Sequence, residues 1–107
     1  MKNTVVITDT AAADIADQFN YIRVDRKDMI YAERWLRELY AAIEGLEDFA
    51  GYARARESDF LDVELRQRVF KSHRIVFSVD EARHQVVVHY VRHSARRAVG
   101  EQPSDDE

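Results

Sequence analysis

Between residues 9 and 46 apolar side chains return every three or four positions, whereas from residue 63 to 92 they come in β-branched runs separated by short polar turns. This change of period limits the fold more than any other feature, because a helix and a sheet must each bury an apolar face against something. Residues 3–8 alternate polar side chains with Val and Ile, placing Val5 and Ile7 on one face of a short first strand. Thr8, Asp9 and Thr10 suit the start of a helix, and Ala12, Ile15, Ala16, Phe19 and Ile22 then recur at helical spacing. The charged stretch 25–28 ends that helix. Ala32, Trp35, Leu36, Leu39, Ile43 and Leu46 form the stripe of a second, longer one, with Gly51 placed to stop it. So short a connection makes the two helices an antiparallel pair.

Residues 51–62 lose periodicity and read as a loop containing at most a helical turn. Strands are expected at 63–70, 74–79 and 85–92, with turns at 71–73 and 80–84. The resulting order, β-α-α-β-β-β, predicts an α+β fold in which a two-helix hairpin packs on one face of a largely antiparallel four-stranded sheet. A chain of 107 residues, 46% hydrophobic, has room for one such core. The domain is expected to span 1–100, and 101–107, with the only proline and four acids, to be a disordered acidic tail.

Several kinds of chemistry are excluded at this stage. With no cysteine there is no disulfide scaffold, thiolate metal site or cysteine nucleophile, which suits a reducing compartment and makes the cytoplasm the expected location. No apolar run approaches the ~20 residues of a membrane span, and the first residues lack the long apolar region of a signal peptide. Three glycines, Gly45, Gly51 and Gly100, build no phosphate loop, and no serine lies in an activated-nucleophile motif. His89 and His93 without a third ligand do not make a zinc site, so neither metal nor cofactor is expected.

Charge is divided unevenly along the chain. Residues 1–62 hold 8 Lys/Arg against 13 Asp/Glu, while 63–100 hold 8 against 3 together with all four histidines. Such a concentrated positive field attracts phosphates or an acidic protein, although basic strands can equally balance acidic helices within one fold. Strand alternation places Ile75, Phe77 and Val79 on one face of the third strand and Arg74, Val76 and Ser78 on the other. On the last strand it groups Val86, Val88, Tyr90 and Arg92 against Val87, His89, Val91 and His93. Both groups are mostly apolar, which predicts a central strand. Arg92, His93, Arg96 and Arg97 then gather at its end, with Arg68 or Arg74 available from neighbouring strands. Guanidinium groups of this kind bind phosphate bidentately, or pair with acids of the helical layer, and an imidazole among them can move a proton near neutral pH.

The early Thr10, Ala13 and Asp14-Ile15, the helix Ala32-Glu33-Arg34-Trp35-Leu36 with Ile43, Leu46 and Phe49, the strand Arg74-Ile75-Val76-Phe77 and the closing Val91-Arg92-His93-Ser94-Ala95-Arg96 together resemble the RelE/ParE superfamily of toxins from bacterial type II toxin–antitoxin systems. The resemblance runs nearly to Val99, and the Arg-His-x-Ala-Arg ending is most like the ParE, plasmid-stabilisation branch. It implies a growth-inhibiting toxin neutralised by a cognate antitoxin in a hetero-oligomer. RelE-type members cleave mRNA on the ribosome; ParE-type members poison DNA gyrase without established catalytic residues. In a RelE-type reaction Arg74 matches the phosphate-neutralising arginine and His93 is the candidate acid–base group. Its position departs from the pattern, with Ser94 and Ala95 following, Lys71 the only lysine of the basic half, and Ala50 where many relatives have proline.

The expectation is therefore a ParE-like toxin that acts by binding, with gyrase as target. Arg68, Arg92, Arg96, Arg97 and His89 are its candidate target- or phosphate-binding residues. A ribosome-dependent endoribonuclease acting on mRNA through Arg74 and His93, and a non-toxic antitoxin-binding module, are the alternatives.

Overall fold

Two capped helices lie across one face of a mixed four-stranded sheet. A computed structural model of the chain describes residues 4–48, 54–59 and 64–94, and gives β1 (Thr4–Ile7), α1 (Asp9–Asn20), a π-helical turn (Tyr21–Asp25), α2 (Met29–Glu44), β2 (Arg66–Phe70), β3 (His73–Asp80) and β4 (Gln85–His93). Short 3₁₀ turns at Gly45–Asp48 and Arg56–Asp59 lie between α2 and β2. The sheet order is β1-β4-β3-β2; β1 runs parallel to β4 and the other pairs are antiparallel. This is the α+β arrangement expected, with β4 central. Gly51, the residue assigned to end α2, and the tail 101–107 lie outside the described residues. No helix among the described residues is long and apolar enough to cross a membrane.

Each helix begins where a side chain can satisfy a free backbone N–H. The Thr8 hydroxyl accepts from the Ala11 N–H at 3.1 Å, and the Asp28 carboxylate from the Tyr31 N–H at 3.0 Å. Between the helices the Arg26 N–H reaches back five residues to the Tyr21 carbonyl, and Lys27 takes a positive φ of 53° to reverse the chain. The wider π turn keeps Ile22 in the core. The stripe of α1 differs in phase from the sequence reading: Ala11 and Ile15 are buried, whereas Ala12 and Ala16 are exposed. Alanine contributes too little area to set a helix face, so Ile15 and Ile22 set it. Ala16 sits about 100° away round the axis from Ile15.

The main core joins Ile15 and Ile22 to Trp35, Leu39 and Ile43 of α2 and Leu46 of the 3₁₀ turn after it, and to Phe70, Ile75, Phe77, Val86, Val88 and Val91 of the sheet. Val91 in that set overturns the face assignment for the last strand. Val76 pairs with Tyr90 and Phe77 with Val88, so His89 is an extra residue in β4, a β-bulge. Strict alternation holds as far as Val88 and is shifted by one residue beyond it. Val91 and His93 thus join the helix side, and Tyr90 and Arg92 the opposite one. On that opposite face Ala55, Leu65 and Val76 form a second small core with Tyr90 packed on it, so the segment read as a loop covers part of the sheet. The Ala55 N–H bonds the Leu65 carbonyl at 2.8 Å, and the Ser58 hydroxyl bonds both the N–H and the carbonyl of Leu65.

The end of α2 depends on a close approach. Arg68 donates from Nη1 to the Ala42 carbonyl at 2.8 Å, placing positive charge at the negative end of the helix dipole. It crosses over Gly45, where a Cβ would stand 2.7 Å from that nitrogen. Gly45 has ordinary helical backbone angles, so the space above it is what requires glycine. Gly45→Ala in an Arg68→Ala background should stabilise by ~0.5–1 kcal/mol, the usual gain at a helical position. In the parent chain that gain should vanish, because a bond of about 1 kcal/mol is displaced. Urea unfolding of the four proteins of this cycle measures the coupling; equal effects in both backgrounds would refute the arrangement.

Candidate functional site

Where β3 begins and β4 ends, two histidines meet on the helix side of the sheet. His73 and His93 are register partners, and their rings stand edge to face at 5.3 Å between centroids. The Trp35 ring lies edge-on to His73 at 5.9 Å. His73 is 5% exposed, and its Nδ1 is buried with no hydrogen-bond partner among the described residues. Burial lowers its pKa below the usual imidazole value, and the charge of His93 lowers it further. The histidine pair lines a cleft of about 430 Å³, with Arg26, Tyr31, Trp35 and Lys71 among the other walls. It also lines an adjoining 270 Å³ cavity carrying Asp14 and Asp17.

The turn that delivers His73 is pinned to α2. Lys71 adopts a positive φ of 52°, bonds Glu38 at 2.5 Å and holds its ammonium 5.4 Å from the centre of the Tyr31 ring. The Lys71 hydrogen bond is the main cause of the lowered pKa of Glu38. Across the turn the Ser94 N–H donates to the Ser72 carbonyl at 2.8 Å, and nearby Asp14 accepts from the Val91 N–H at 3.0 Å. β1 stops at Ile7, so Asp14 of α1 serves a stretch of β4 that no strand pairs on that side.

Arg74 and Arg92 face the other way. They oppose each other in the β3–β4 register, a like-charge pair that is unfavourable by itself. Glu57 of the 3₁₀ turn relieves it: Arg74 Nη1 and Nη2 donate to the two oxygens of its carboxylate at 2.8 and 2.9 Å, and Nη1 also reaches Gln67 at 3.0 Å. Arg74 is 4% exposed and Glu57 0%, so this is an internal ion pair. The acid comes from the turn covering the far face and not from the helical layer. His89, the bulge residue, hydrogen-bonds through Nε2 to the Ser78 hydroxyl at 2.7 Å, and burial lowers its pKa. Arg96 and Arg97 lie outside the described residues.

The candidate residues therefore do not converge. His93 stands on the helix side, Arg74 and Arg92 on the far face, and Arg68 at the end of α2. Sequence reasoning passed over His73, which it assigned to a turn, and Glu57, which has no motif and is 17 residues from Arg74. Among the described residues no group of three or more His, Asp or Glu side chains is placed to hold a metal ion. What the arrangement offers chemically is a pair of imidazoles in edge-to-face contact, of which His73 has its pKa lowered by burial, within a cleft bordered by cations.

Two consequences can be measured. Arg74→Ala would strip a buried carboxylate of its bidentate guanidinium partner and should cost about 3–5 kcal/mol, whereas Arg74→Met with Glu57→Leu should recover most of it. Denaturant unfolding decides this; a mild effect of the single change would remove the ion pair's structural role. His73 and His89 have lowered folded-state pKa values, so below the ordinary value of ~6.5 the unfolded chain binds more protons than the folded one. Stability should be full above that pH and should fall as the pH drops below about 6.5, less steeply in a His73→Gln, His89→Gln double variant. An unchanged slope in melting temperature against pH would sink this assignment.

Comparison with known proteins places the architecture. A search of curated proteins returns no relative. Among solved structures, a chain of the chromosomal ParDE toxin–antitoxin system from P. aeruginosa superposes with a TM-score of 0.68 at 14% identity, over 86% of this chain and 96% of that one. At that identity the likeness shows the fold. The family model of the ParE toxin of type II toxin–antitoxin systems matches residues 5–98, from β1 through β4, and the chain therefore belongs to the ParE toxin family.

Proposed function

We propose that this ParE-family toxin arrests growth by binding DNA gyrase in the cytoplasm and is silenced by a cognate antitoxin. The engagement of Arg74 by Glu57 carries the choice of a binding mode over mRNA cleavage. A ribonuclease of this superfamily needs that arginine to neutralise the scissile phosphate, and here both of its terminal nitrogens are turned to a buried carboxylate. His93, the candidate acid–base group, faces the opposite side of the sheet from Arg74.

Recognition of an antitoxin has surface available to it. Ile30 is 82% exposed and stands with exposed Val24 and Met29 where α1 turns into α2. β1 and β2 are both edge strands, with Val6 and Val69 exposed on them. An amphipathic helix fits the first surface and an added strand the second. The ParDE neighbour, a toxin–antitoxin system by description, supports a partner of this kind.

Expression of the protein alone should stop growth, with early induction of the DNA damage response while mRNA stays intact; co-expression with an adjacent antitoxin gene should restore growth. Purified protein should inhibit supercoiling by gyrase, and Arg92→Ala should weaken that inhibition about tenfold, as loss of one charged contact does. Rapid ribosome-dependent mRNA cleavage would replace this reading with the nuclease. Normal growth alongside abundant folded protein would leave the non-toxic antitoxin-binding module.

A further inference from the structure

We propose that the cleft between the π-helical turn, α2 and the β2–β3 turn binds a phosphate group, held by His73, Arg26 and Lys71. The first observation is the buried Nδ1 of His73, which lines the cleft and has no hydrogen-bond partner among the described residues. Buried polar atoms in folded proteins are almost always satisfied, so an orphan atom on a residue that lines a cavity points to a partner supplied from outside the chain. A neutral imidazole with its proton on Nδ1 donates one hydrogen bond there to an oxyanion.

The second observation is the charge around that atom. Arg26 borders the same cleft, is exposed, and has no ion-pair or hydrogen-bond partner for its side chain among the described residues. Lys71, also on the lining, is held by Glu38 and by the Tyr31 ring, so its position is set before any ligand arrives. Tyr21, Tyr31 and Ser72 add hydroxyl groups to the lining. Two cations, of which Lys71 is held in place, with a neutral N–H and several hydroxyls suit a dianion with three terminal oxygens better than a carboxylate, which carries one charge on two. A space of about 430 Å³ admits such a group together with part of the molecule bearing it.

The groups on the other side of the histidine pair fix the ligand's position. Asp14 and Asp17 of α1 line the adjoining cavity and repel an anion from that end. Trp35 closes the cleft beside His73, and His93 stands between the two cavities. A phosphate therefore sits at the Arg26 and Lys71 end, where its charge favours protonation of His73 and opposes the effect of burial.

Inorganic phosphate titrated into the full chain at pH 7 and constant ionic strength, with the imidazole resonances followed by NMR, tests this. Saturable shifts at His73 and His93 are expected, with a raised His73 pKa at saturation. Arg26→Gln and Lys71→Gln should each weaken binding about tenfold, in line with loss of one charge-assisted contact. Arg26 is exposed, so Arg26→Gln should leave the melting temperature unchanged, and it separates ligand loss from misfolding. Adenosine 5′-monophosphate in place of phosphate distinguishes a phosphomonoester, which binds more tightly than the free ion, from phosphate alone; either supports the site. Shifts no larger than those with chloride, an equal response to acetate, or unaltered affinity in Arg26→Gln would overturn it. Gyrase inhibition is read separately, so failure of one proposal leaves the other intact.

Discussion

The extra residue in β4 organises the rest of the molecule. Because His89 has no partner in β3, every side chain beyond it changes face, and the strand presents Val86, Val88 and Val91 to one core while turning Tyr90 to another. The same shift carries His93 to the helix side, where His73 waits, and Arg92 to the far side, opposite Arg74. Without the bulge, Arg92 would point at α1 and His93 at the 3₁₀ turn. A bulge also strengthens local twist and bends the strand that contains it. In this chain it lies where β1 has ended and α1 takes over the bonding of β4 through Thr8 and Asp14.

Periodicity made the order of elements legible, and the resemblance in the closing residues made the family legible. Both depend on patterns spread over many positions, which single errors do not disturb. The features that escaped are local or non-local in ways a pattern does not record. Residues 86–91 are apolar on both faces, so a one-residue slip at His89 leaves the alternation looking equally good. Ala12 and Ala16 fit a helical stripe as well as Ala11 does, and only packing in the main core chooses between them. Glu57 lies in a stretch with no period at all, and its pairing with Arg74 exists only once the turn folds over the sheet.

Chemistry-bearing residues on neighbouring strands end up serving different purposes. Arg74 stabilises the attachment of the 54–59 segment, Arg68 finishes a helix, and the histidines at the mouth of the β3–β4 pair face a cleft. A cationic hairpin read as one surface is thus three environments: an interior, a helix end and an opening. The net positive charge of this half does not translate into a single patch, since Glu57 and the carbonyls of α2 absorb part of it.

The parallel pairing of β1 with β4 ties the order of synthesis to the order of assembly. Thr4 is bonded to the chain 80 residues later, at His84, and β4 is an interior strand, lying between β1 and β3. Until the ribosome has released that last strand, β1 has no neighbour, β3 has only β2, and the helices lack most of the surface they cover. Contacts of such long sequence separation also form slowly, because the loop between them must close before they are rewarded. A nascent chain of this kind stays open through most of its translation and acquires both of its cores and its histidine-lined cleft together, late. For a member of a toxin family this means that the folded shape exists only once the whole domain does, and a partner already present can meet it as it forms.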